Sequence, residues 1–68
     1  MRQVVLYQDE DGVWIAECPS LPGVVSDGAT VEETIANVKE AITGYIEALK
    51  EDNLPVPPEQ NITLLVAV

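Results

Sequence analysis

The stretch from Thr30 to Asn53 leaves the chain the least freedom. Apolar residues recur there at Val31, Ile35, Val38, Ile42, Tyr45, Ile46 and Leu49, in steps of 4, 3, 4, 3, 1 and 3. That spacing lays them along one stripe of a 3.6-residue helix. Thr30-Val31-Glu32-Glu33 opens the helix as a capping box: the threonine hydroxyl accepts from the Glu33 amide and the Glu33 side chain reaches back. Glu32 and Glu33 also stand at the positive end of the helix dipole. Asn53 suits the left-handed position beyond a helix end and Pro55 cannot continue a helix, so the helix is predicted to run to about Asp52. Gly44, in its interior, costs up to about 1 kcal/mol relative to alanine. It marks either the close approach of another backbone or nothing. One apolar stripe has to be buried, and the rest of the chain reads as strand, so the fold class is α+β in two layers.

Residues 3–8 (QVVLYQ) and 13–18 (VWIAEC) are β-branched and aromatic in character and are separated by Asp9-Glu10-Asp11-Gly12. Gly12 supplies a positive φ and the aspartates bond nearby amides, which makes an antiparallel hairpin. Trp14, Ala16 and Cys18 share one face of the second strand; Val13, Ile15 and Glu17 share the other. Pro19-Ser20-Leu21-Pro22-Gly23 is a rigid loop through which no strand continues. A third strand is predicted at roughly 24–27. After the helix, Val56-Pro57-Pro58 is an extended linker. Asn61–Val68 reads as a last strand, apolar at Ile62 and from Leu64 to Val68, a run that suits burial on both faces. The order is β-β-β-α-β. A right-handed crossover sets the last strand parallel to the first, giving strand order 3-2-1-4.

Charge narrows the function. Three basic residues against twelve acidic ones give a net charge of −9, and there is no histidine. Arg2, Lys39 and Lys50 cannot build the basic surface that nucleic acid requires, and anionic membranes would repel the chain. The electrostatically matched partner is a basic protein. No signal peptide or spanning segment is visible, so a cytoplasmic location is expected. Cys18 stands alone, without a histidine partner and beside the acidic Glu17, so it reads as packing rather than nucleophile. The acids Asp9 to Asp11 miss the spacing of a calcium loop, Glu40 and Glu47 read as a solvated helix face, and no glycine pattern fits a phosphate loop. No enzyme, metal or cofactor is expected. A 68-residue single domain buries only about 60% of its unfolded surface, and without an internal disulfide or metal it is expected to lean on a partner or on a homodimer or higher homo-oligomer.

The sequence resembles the N-terminal domain of the HicB-like antitoxins. Three blocks carry the resemblance, in order and at matching spacing: Pro19-Ser20-Leu21-Pro22-Gly23, then Gly28-Ala29-Thr30-Val31-Glu32-Glu33, then Pro55-Val56-Pro57-Pro58. It covers nearly all of residues 1–68. The resemblance implies a truncated ribonuclease H-like fold of β-β-β-α-β order, and a role in neutralising HicA, a small basic toxin that cleaves messenger RNA. Ribonucleases of that fold carry a carboxylate in the first strand; here that strand reads Gln3-Val4-Val5-Leu6-Tyr7-Gln8. The DNA-binding domain common in such antitoxins does not follow, so direct contact with DNA is not expected. Candidate partner contacts are Leu21 and Pro22 in the loop, Glu17 and Asp27 near it, and Glu32 and Glu33 at the helix start. Gly12, Pro19, Gly23 and Thr30 are candidate structural residues. The rival reading is an oligomeric scaffold or small-ligand-binding module without a toxin.

Overall fold

The computed structural model describes residues 2–59 and 66–68. Its elements are β1 (Val5–Gln8), β2 (Trp14–Glu17), β3 (Val25–Gly28) and α1 (Val31–Glu51). The three strands form one antiparallel sheet in the order β1-β2-β3, with Val5, Glu17 and Val25 in one row and Tyr7, Ile15 and Asp27 in the next. The class is α+β, as the helix stripe requires. β1 and β2 are each two residues shorter than the sequence suggests, and β3 has the expected length but lies one residue later. The predicted last strand falls on residues that lie largely outside those described; Val66–Val68 are exposed and belong to no regular element.

The turns follow from their residues. Asp9 Oδ1 accepts from the amides of Asp11 at 2.9 Å and Val13 at 3.0 Å. The Gly12 amide bonds Asp9 O at 3.1 Å, and Gly12 takes φ +84°. This is a three-residue hairpin connection whose last position only glycine occupies without strain. The proline loop is two tight turns in series. Leu21 N–H bonds Cys18 O at 3.0 Å, then Val24 N–H bonds Leu21 O at 3.0 Å. Each turn has proline at its second position, where φ is already set, and the second has Gly23 at its third with φ +90°, the type II pattern. Between the turns, Leu21 is driven inward and is completely buried.

Helix α1 begins and ends as its sequence dictates. Glu33 N–H donates to Thr30 Oγ1 at 3.1 Å. At the far end Asn53 N–H bonds Lys50 O at 3.2 Å, Leu54 N–H bonds Leu49 O at 2.8 Å, and Asn53 takes φ 55°. That is the paired-bond, left-handed helix stop. Of the stripe, Val38 is buried, and Ile42, Tyr45 and Ile46 pack on the cluster of Cys18, Leu21 and Val24, joined by Val4 and Ala41. The sheet therefore turns the face of Leu6, Ala16 and Ser26 to the helix. Among the described residues, none beyond its own stretch of helix lies within 4 Å of where a side chain at Gly44 would begin.

The buried polar groups are paired. Thr34 Oγ1 donates to Thr30 O at 2.7 Å. Ser20 Oγ accepts from Arg2 Nη1 at 2.9 Å, and the same guanidinium donates through Nη2 to Pro57 O. Gln3 N–H donates to Glu59 Oε2 at 2.9 Å. One arginine thus ties the start of the chain, the proline loop and the proline-rich exit together. No buried side-chain nitrogen or oxygen among the described residues lacks a partner.

Candidate partner-binding face

Side chains alternate across a strand, so the register fixes what lies on the sheet face away from the helix. That open face carries Val5 and Tyr7 from β1, Ile15 and Glu17 from β2, and Val25 and Asp27 from β3. Four of the six are apolar or aromatic, which is unlike the polar outer face of an ordinary two-layer sheet. Tyr7 is 44% exposed and Val25 53%. The two charged members, Glu17 and Asp27, are both acidic and exposed.

Two depressions meet on this face at Val25. The larger, of about 510 Å³, has Val5, Glu17 and Val25 as its floor and Pro19, Pro22 and Gly23 as its wall. The smaller, of about 310 Å³, lies between Ile15, Val25, Ser26 and Asp27. The proline loop shapes the first because its two turns hold Pro22 and Gly23 outward while Leu21 anchors inward. Tyr7 stands diagonally across from Glu17. Its phenol is held above the ordinary tyrosine value, first by partial desolvation, then by the Glu17 charge and a hydrogen bond to that carboxylate, and last by Asp9.

The structure sorts the residues singled out from sequence. Glu17, Asp27 and Pro22 come together around the open face. Glu32 and Glu33 are exposed but belong to the first turn of α1, in the other layer. Leu21 is a core residue with no exposed surface, so it supports the loop from below and offers nothing to touch. Gly12, Gly23 and Thr30 occupy the turn and cap positions expected of them, and Pro19 opens the first turn of the loop. Sequence reasoning passed over Val5, Tyr7, Ile15 and Val25. The available signal was that both faces of the hairpin are apolar while one helix covers only one of them. On the edge of β3, Asn37 Nδ2 donates to Asp27 O at 2.8 Å and occupies an acceptor that an added strand would use.

Chemically the face offers apolar side chains and two carboxylates. Among the described residues no three histidine, cysteine or acidic side chains are grouped to hold a metal ion, and none of their helices is long and apolar enough to cross a membrane.

Comparison with known proteins adds the family dimension. Residues 3–68 match the family model described as HicB_like antitoxin of bacterial toxin-antitoxin system. A UPF0150 protein of Thermoplasma acidophilum is 44% identical over 54 residues, covering 79% of this chain and 78% of that protein. A UPF0150 protein of Synechocystis is 48% identical over 59 residues, covering 87% of this chain and 75% of that one. An uncharacterized 14.9 kDa protein of Haemophilus phage HP1 is 37% identical over 59 residues, which are 87% of this chain and 44% of the phage protein.

Proposed function

The chain belongs to the HicB-like antitoxin family, and from that membership we propose that it is a non-enzymatic antitoxin that binds a small, basic, HicA-type toxin. Neutralisation consists of covering the toxin's RNA-binding or catalytic face, in the cytoplasm where messenger RNA is cut. The observation that carries the reading is the open sheet face, exposed, apolar and acidic, on a chain of net charge −9. Opposite charge speeds encounter and selects basic partners, while the apolar area holds them once docked. The absence of a carboxylate from Val5–Gln8 agrees with binding rather than RNA hydrolysis.

The family assignment supports two further expectations. Residues 1–68 form one domain of truncated ribonuclease H-like architecture with strand order 3-2-1-4. The bonds from Arg2 to Pro57 O and from Gln3 N–H to Glu59 Oε2 support the single domain, because they tie the residues before β1 to the proline-rich segment after α1. The small core, with five buried hydrophobic residues among those described, supports a homodimer or higher homo-oligomer.

A second reading, a small-ligand module without a toxin, draws on the 510 Å³ depression, a volume within the usual range for ligand sites. Co-expression separates the two. With a HicA-type toxin from the same genome, an antitoxin restores growth and co-elutes with the toxin in a stable complex. Continued growth arrest with no complex refutes the antitoxin reading.

A further inference from the structure

Resting on the antitoxin reading only for the class of partner, we propose that the basic partner docks on the open face of the sheet, over Tyr7, Ile15 and Val25 between the carboxylates of Glu17 and Asp27, and not on the helix layer. The face presents apolar surface flanked by charge of one sign. Such a surface fits a protein segment that sets arginine or lysine beside apolar side chains. The methylene stem of an arginine would lie along Val25 and Pro22. Its planar head would meet the Glu17 carboxylate in the two-point geometry that guanidinium favours, with the Tyr7 ring within reach for a cation–π contact.

The same charges argue against a second copy of this chain as the occupant. Face-to-face pairing would bring two Glu17 and two Asp27 carboxylates out of water with no cation among them, a costly burial. Pairing edge to edge along β3 is hindered by Asn37, which already fills the Asp27 carbonyl. Glu32 and Glu33 are less available to a partner, because the amides and dipole at the start of α1 already stabilise their charge.

The test uses the full chain and two charge-matched double variants. Glu17→Lys with Asp27→Lys alters the open face; Glu40→Lys with Glu47→Lys makes the same change on the exposed side of α1. Binding of a purified HicA-type toxin is measured by calorimetry. In parallel, amide shifts are mapped with a blocked peptide of alternating arginine and leucine. Circular dichroism confirms that each variant folds. The expected result is a loss of roughly tenfold or more in toxin affinity for the sheet variant against less than about threefold for the helix variant. Peptide shifts should centre on Tyr7, Ile15 and Val25. Equal losses in the two variants, or shifts centred on α1, overturn the proposal. If the toxin fails to bind the unaltered chain while the peptide maps to the sheet face, the surface stands and the antitoxin reading falls. If neither the toxin nor the peptide binds the chain at all, both fall.

Discussion

Gly28 packs directly on Thr34: a methyl group at Gly28 would lie 2.6 Å from Thr34 Oγ1 and 2.8 Å from its amide nitrogen. This contact joins the last residue of β3 to the first turn of α1 and sets how closely sheet and helix approach. Thr34 cannot step aside, because it is buried and its hydroxyl bonds Thr30 O. Gly28→Ala should therefore destabilise the fold by about 1–3 kcal/mol, as overpacking of a tight site does. Urea unfolding followed by Trp14 fluorescence measures it. An unchanged midpoint would mean that the two layers separate more easily than this geometry allows.

Arg2 bonds Ser20 Oγ and Pro57 O from one planar head. Removing it leaves two acceptors in a half-buried setting. We expect Arg2→Ala to cost about 1–2 kcal/mol and Arg2→Lys to recover little of that, since an ammonium group does not reproduce the fork. Full recovery by lysine, read as the same chemical unfolding midpoint, would assign the effect to charge alone.

How much of this was readable in advance depends on how local the cause is. Thr30, Asn53, Gly12 and the two loop prolines act through their own backbone angles and neighbouring amides, so residue type and position suffice. The inward stripe from Val31 to Leu49 was equally legible, because periodicity encodes it. What could not be read was which face of the hairpin meets the helix. Both Trp14-Ala16-Cys18 and Val13-Ile15-Glu17 are largely apolar, so alternation gave no direction. The direction comes from tertiary facts: Leu21 plugs the space beside Cys18 and Val24, and Gly28 lets α1 close on that side. Leu21 shows the converse. A hydrophobic residue between two prolines in a loop looks like a contact for a partner, and the two successive turns instead point it into the core. Gly44 drew attention within the helix, whereas the glycine that a close approach requires is Gly28.

Tyr7 should report on the open face through its ionisation. Its folded value is raised above 10.0, so the folded chain holds the phenolic proton more tightly than the unfolded chain. The resulting stabilisation is fully present below the unfolded value near 10 and is lost as pH rises from there through the folded value. Ultraviolet titration of a Tyr45→Phe variant isolates Tyr7. Glu17→Gln removes a neighbouring negative charge and should move the transition down toward the ordinary value. An unshifted transition in that variant would separate Tyr7 from Glu17 and weaken the picture of one continuous binding patch.

Gly44 gives the opposite sign from Gly28. It lies inside α1 on the exposed side, and among the described residues nothing within 4 Å would meet an added methyl group. Alanine there loses less backbone entropy on folding, so Gly44→Ala should stabilise the chain by about 0.5–1 kcal/mol. Urea unfolding measures the gain, and light scattering of the same samples measures assembly. A gain with unchanged mass assigns Gly44 to a free helix surface. A loss of stability together with a fall in mass would place a neighbouring copy's backbone against that glycine. The helix, rather than the acidic sheet face, would then be the surface through which copies of this chain associate, leaving the sheet face open to a basic partner.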